Sequence, residues 1–174
     1  MKRNIYLWQF CGFAFVSLLG TLLHFLYGIT NRSIFTSPFS AVNESTWEHM
    51  KILYFPLLIF ALLQSFFFQK YDSFWCIKLM GILIGVFLIP TLFYTYNGAI
   101  GPSPDWVNIT IFFISAAVAL FIEARIFKSG GFFCPFSRLS FLLICIIGVL
   151  FVVFTFAAPE IPLFRDPLSG GYGI

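Results

Sequence analysis

The chain has 174 residues, of which 60% are hydrophobic, 21% aromatic and only 10% charged. A soluble domain carries about 25% charged residues, so a surface this poor in charge excludes an ordinary water-solvated globule. The net charge of +3 comes with no dense basic cluster, which excludes nucleic acid as a partner and leaves the lipid bilayer.

A helix needs about 20 apolar residues to cross about 30 Å of hydrocarbon. Five runs meet that length, and the predicted fold class is all-α: an integral membrane bundle of five transmembrane helices forming a single membrane domain over residues 1–174. The spans are expected at about 5–28, 46–69, 74–96, 106–127 and 139–157, followed by an extended tail over 158–174. Met1, Lys2 and Arg3 before the first run have the look of a signal peptide. The run reaches about Ile29, however, longer than the apolar core of a cleaved leader, and no small-x-small site follows. It is expected to remain as the first span, with no cleaved signal peptide.

Span one carries Trp8 and Tyr27 near its two ends, as aromatic belts require, and His24 about one turn from the far end. The loop that follows, to Ser45, is the longest polar interruption. Span two contains Pro56 and span three Pro90, each expected to kink its helix. Gly81 and Gly85 form a Gly-x-x-x-Gly pair in span three, and Ser115, Ala116 and Ala119 offer a small-residue face on span four. Lys78 is read as a snorkelling side chain, and Glu123 and Arg125 as interfacial charges.

Topology follows from Lys and Arg. With the N-terminus inside, Lys2, Arg3, Lys70, Lys78, Arg125, Lys128 and Arg138 fall on the cytoplasmic side, against Arg32, Lys51 and Arg165 outside: seven against three. The expectation is N-in/C-out. The first loop, the Asn97–Asp105 loop and the tail then share the outer face with the end of span one. None of Cys11, Cys76, Cys134 and Cys145 falls on that face and their spacing matches no zinc pattern, so no disulfide is expected.

The densest chemistry lies in Asn43-Glu44-Ser45-Thr46-Trp47-Glu48-His49-Met50-Lys51. Ser45-x-x-Glu48 before an apolar run is a capping box, which accounts for Ser45 and Glu48 without any function. It does not account for Glu44, His49 or His24. Glu44 and Glu48 are four apart, on one helical face if the helix starts early. With His49 they are the candidate catalytic residues. With His24 added, the four are candidate metal ligands of mixed imidazole and carboxylate type, though in no established spacing. The alternatives are an interfacial His49 and a His24 hydrogen-bonded across helices.

Candidate ligand-binding residues are His24, Asn43, Trp47, Tyr94, Arg165 and Asp166. Trp47 also reads as an interface anchor. The tail is apolar for a free end, with Ile161, Leu163, Phe164, Leu168, Tyr172 and Ile174. It is expected to fold back over the outer mouth, with Arg165 paired to Glu44 or Glu48.

Asn43-Glu44-Ser45-x-Trp47-Glu48-His49-x-Lys51, Phe55-Pro56, the Leu92–Tyr96 segment and Pro162-Leu163-Phe164-Arg165-Asp166-Pro167 with Tyr172-Gly173-Ile174 resemble a family of small multi-pass membrane proteins of Gram-positive bacteria, a domain of unknown function. The resemblance covers nearly the whole chain. It implies a bacterial plasma membrane and supplies no activity, cofactor or catalytic residue. Three readings stay open: a polar pocket on the extracytoplasmic face for a small ligand, ion or lipid headgroup; an intramembrane, metal-dependent hydrolase or transferase acting on a lipid; and a structural or accessory subunit.

Overall fold

The computed structural model describes residues 4–68 and 70–174. Lys2 and Arg3, counted in the charge balance, and Gln69, the expected end of span two, lie outside the described residues. Five helices follow one another: α1 (Ile5–Ile29), α2 (Thr46–Ser65), α3 (Phe74–Ala99), α4 (Asp105–Lys128) and α5 (Ser137–Phe156), with one short 3₁₀ turn at Pro162–Phe164. All five helices are long and apolar enough to span a membrane. No strand occurs among the described residues. Leu18, Phe10 and Val149 are left bare on the outer surface, a costly arrangement in water and a favourable one against lipid tails.

α2 is the buried helix. Ile52, Leu53, Tyr54, Leu57 and Ala61 are all at most 2% exposed. Small residues let its neighbours approach. A Cβ on Gly12 would strike the Phe60 ring, and one on Gly20 the Phe112 ring, so α1 lies closely on α2 and α4 through these two glycines. At Gly85 an added Cβ would sit 3.0 Å from Ala119 and 3.3 Å from the Ser115 carbonyl. The Gly-x-x-x-Gly face of α3 therefore packs on the Ser115/Ala116/Ala119 face of α4, whose three residues are fully buried. α5 is tied in by Tyr54, whose hydroxyl donates to the Ile144 carbonyl at 2.5 Å and whose ring fills the space over Gly148.

Lys78 and Glu123 correct the expectation of a snorkelling cation and an interfacial acid. Each side chain is 1% exposed, and the two form an ion pair inside the bundle. Gln9 of α1 donates to the same carboxylate at 3.0 Å, and Gln64 of α2 reaches Gln9 at 3.5 Å. Four helices thus meet on one polar knot. The Phe60, Phe74 and Phe127 rings surround the ammonium at 5.3, 5.8 and 5.7 Å. Gly81 leaves room for the Glu123 side chain, which a Cβ there would hit.

A second correction concerns the cysteines. Cys76 and Cys134 form a disulfide with Cα atoms 6.6 Å apart, where none was expected. The α4–α5 loop doubles back through Gly130 and Gly131, both at positive φ (95° and 84°). The Phe132 amide then donates to the Ser73 hydroxyl at 3.4 Å, which sets Cys134 on the first turn of α3. The expectation rested on compartment alone and held no information about this fold-back. Cys11 and Cys145 remain free.

Removing one member of a buried ion pair strands the other charge, at about 3–5 kcal/mol, whereas replacing both is often near neutral. Lys78→Met should therefore destabilise the protein by about that amount in detergent unfolding. The double variant Lys78→Met/Glu123→Gln should lose less than the single one; strictly additive losses would show that the two charges do not depend on each other.

Candidate functional site

The opposite end of the bundle is built by the first loop. Asn31 and Arg32 adopt left-handed backbone (φ 53° and 58°) directly after α1. Short hydroxyl–carbonyl bonds then wind the chain, with the Thr36 hydroxyl donating to Ser33 at 2.9 Å, Ser37 to Ile34 at 2.9 Å and Ser40 to Thr36 at 2.7 Å. The Ala41 amide donates back to the Leu23 carbonyl at 3.2 Å. That last bond carries the loop across the end of α1 and sets Glu44 beside His24.

Ser45 then starts α2. Its hydroxyl caps the Glu48 amide at 3.4 Å. The reciprocal half of the capping box is absent among the described residues: the Ser45 amide donates instead to Asn43 Oδ1 at 2.9 Å. Glu48 turns into the bundle, with a side chain 2% exposed. Its Oε2 lies 2.6 Å from Lys51 Nζ and accepts the Val42 amide at 3.0 Å. Lys51, whose side chain is fully buried, also donates to the Ser37 carbonyl at 2.9 Å and to the Thr155 hydroxyl of α5 at 2.7 Å. Lys51, Ser37 and Thr155 were not among the sequence candidates. Thr155, with Ser140 one of two hydroxyl residues in the expected fifth span, is the signal that could have pointed to one of them.

Glu44, His24 and His49 converge. Glu44 Oε2 lies 3.6 Å from His24 Nε2 and 3.5 Å from His49 Nε2. The two rings are 5.4 Å apart, and one donor atom from each of the three residues falls within 4.8 Å of the others. His49 Nδ1 sits 2.9 Å from the Ser45 carbonyl. A carbonyl only accepts, so Nδ1 carries the proton and Nε2 is left to face the carboxylate. His24 Nδ1 is buried and has no hydrogen-bond partner among the described residues. His24 Nε2 beside Glu44 holds that carboxyl below the usual carboxylate range, against partial burial that pushes it up, and His49 adds to the lowering.

These separations suit a cation. Ligand distances of about 2.0–2.2 Å around a tetrahedral ion put neighbouring donor atoms about 3.3–3.6 Å apart. The two Nε2–Oε2 separations, 3.5 and 3.6 Å, lie close to that. An imidazole whose second nitrogen is anchored on a backbone carbonyl is the usual outer support of a metal ligand. Glu44 is 41% exposed, so the cluster is open on one side.

That side is a cleft of about 410 Å³. Glu44 and Thr46 form one wall, Phe93 and Tyr94 of α3 another, and Pro162, Arg165, Pro167 and Tyr172 of the tail a third. The tail is folded, and it docks on α2 and α5. Asn43 Nδ2 donates to the Gly173 carbonyl at 3.0 Å, and the Ile174 amide to the Thr155 carbonyl at 3.2 Å. Trp47 packs on Phe151, Phe154 and Phe164 at 4.5, 5.6 and 4.6 Å. Its indole belongs to this aromatic clamp and does not line the cleft. Asp166 is consumed by its own turn, accepting from the Leu168 amide, the Ser169 amide and the Ser169 hydroxyl. Burial raises its pKa, but these bonds, together with the Glu44 backbone, outweigh burial and hold it low. The expected bridge from Arg165 to Glu44 or Glu48 is not formed, because Glu44 is engaged by the histidines and Glu48 by Lys51.

A family model described as a family of unknown function, DUF6512, matches residues 1–174. No curated protein matches, and no solved structure does.

If Glu48 were only a cap partner, Glu48→Gln would cost under about 1 kcal/mol, since glutamine serves there equally. The buried Lys51 ammonium would instead be stranded, so the expected loss in chemical denaturation is about 3–5 kcal/mol. A loss under about 1 kcal/mol would leave the capping role as the whole of its contribution.

Proposed function

The chain belongs to the DUF6512 family, whose function is unknown, and we propose that it is a multi-pass membrane protein that holds a divalent transition-metal ion at one end of its bundle. The observation that carries this reading is the convergence of His24, Glu44 and His49, with both rings addressing one carboxylate oxygen at 3.5–3.6 Å. Two imidazoles and a carboxylate are a donor set for zinc and neighbouring first-row ions. Of the four candidate ligands, Glu48 drops out, since Lys51 neutralises it inside the bundle. Three protein ligands leave a coordination position open towards the cleft, for water or a small ligand.

The open position also favours the enzymatic reading over a purely structural one. Structural metal sites close their coordination shell with four protein ligands, while catalytic ones keep a place for water or substrate. A metal here would act as a Lewis acid on a bound oxygen, and the reaction class in keeping with it is hydrolysis or transfer at the membrane surface.

We place the site on the extracytoplasmic face of a bacterial plasma membrane. Lys51 and Lys78 are neutralised by buried partners and carry no topological weight. The count of seven against three then becomes six against two (7 − 1 and 3 − 1), still N-in/C-out. In that orientation the Cys76–Cys134 pair faces the reducing side, where disulfides are rare, so both thiols are expected to be free in growing cells.

Protein purified in detergent, loaded with zinc and dialysed should retain stoichiometric metal. Glu44→Gln and His49→Ala should each abolish retention while the protein keeps its unfolding temperature. Wild-type protein that retains no zinc, or variants that retain it fully, would refute the metal reading.

The orientation has its own check. A periplasmic-type reporter fused after Ile174 should be active, and Cys76 and Cys134 should be recovered as free thiols when growing cells are acid-trapped and alkylated. A silent reporter together with an intact bridge would invert the topology.

A further inference from the structure

Among the described residues, Arg165 is the one cation in the wall of the cleft. Its backbone is fixed: its amide donates to the Pro162 carbonyl at 3.3 Å, and it pairs with Tyr172 across the tail's turn. Among the described residues its guanidinium has no carboxylate partner, because each nearby acid is engaged elsewhere: Glu44 with the histidines, Glu48 with Lys51 and Asp166 with its own turn. Thr46, Tyr94 and Tyr172 line the same cleft, and none of their hydroxyls bonds another described group. The remaining walls are proline and aromatic faces.

From this arrangement we propose that the cleft binds a phosphate group, held between Arg165 and the metal centre. The inference rests on the reading of His24, Glu44 and His49 as metal ligands. A guanidinium fork matches two phosphate oxygens and leaves the third for a metal ion or a hydroxyl. A carboxylate has only two oxygens and would leave one partner unmet. A volume of about 410 Å³ admits a phosphate with an attached organic group.

The same geometry makes the phosphate site conditional. Without a metal, the Glu44 carboxylate stands exposed in the cleft wall and repels an anion. With a metal bound, that charge is neutralised and the ion itself becomes a second anchor. Phosphate affinity and metal occupancy are therefore coupled, and the coupling is reciprocal. Because Phe93 and Tyr94 near the end of α3 form one wall, the phosphate can arrive from the bilayer as a lipid headgroup or from solution.

The test uses full-length protein in phosphate-free detergent buffer, with and without zinc, titrated separately with inorganic phosphate and with a water-soluble short-chain phosphatidic acid. Short-chain diacylglycerol is the phosphate-free control. Zinc-loaded protein should bind at least one phosphate-bearing probe, about tenfold or more tighter than zinc-free protein, an effect typical of coupled sites. Preference for phosphatidic acid identifies a lipid headgroup, and equal affinity identifies free phosphate; either supports the proposal. Arg165→Gln should weaken phosphate binding about tenfold or more, as loss of a charge-assisted contact does. Its zinc stoichiometry and unfolding temperature should not change, and Arg165→Lys should fall between Gln and wild type. Zinc-loaded protein that binds neither probe, that binds diacylglycerol equally well, or that is indifferent to Arg165→Gln overturns the proposal and leaves the metal reading standing. Failure to retain zinc at all overturns the metal reading, and this proposal with it.

Discussion

Charge buried in an apolar bundle is the constraint on which this structure turns. Two lysines, each at most 1% exposed, stand inside helices, one towards each end of the bundle. Neither can be tolerated there as an isolated ion. Each is met by a carboxylate and by additional polar atoms drawn from other segments. Lys78 is held by Glu123 of α4, which Gln9 of α1 supports in turn. Lys51 is held by Glu48, the Ser37 carbonyl of the first loop and Thr155 of α5. Such knots add little net stability, but they forbid other helix registers, because any slip would leave a charge uncompensated in hydrocarbon.

The candidate site depends on the Lys51 knot. Neutralising Glu48 inside the bundle leaves Glu44 as the carboxylate free to meet the histidines. The same knot ties the first loop, through Ser37, to α2 and α5, and the final residues of the tail bond to the carbonyl of the same Thr155. A buried structural pair and an open cluster of metal-ligand type thus lie next to each other, with Glu48 and His49 consecutive in α2. Their exposures differ sharply, 2% for the Glu48 side chain and 41% for that of Glu44.

The tail completes this end. Of its apolar side chains Phe164 is buried and packs on Trp47, whereas Ile161, Leu168 and Ile174 stay exposed. The turn around Asp166 and the pairing of Arg165 with Tyr172 give it internal order. It forms one wall of the cleft and leaves the cleft open, so access to the cluster does not require the tail to leave.

Much of this was legible in the chain. Spans of about 20 apolar residues and the punctuation by Pro, Gly and polar loops follow from local composition, and the bilayer enforces helices because no other open segment satisfies its backbone in lipid. The stretch from Asn43 to Lys51 stood out because polar side chains are rare elsewhere. What the sequence left open was partnership. Glu44 and Glu48, four apart, suggested one helical face; but α2 begins at Thr46, so Glu44 belongs to a loop that aims elsewhere. Lys78 and Glu123 are 45 positions apart, and Cys76 and Cys134 are 58 apart; no local pattern links either pair. Composition and periodicity are properties of neighbours along the chain, and they determined the spans. Which charge meets which is a property of helices packed in three dimensions, and only the tertiary structure decided it.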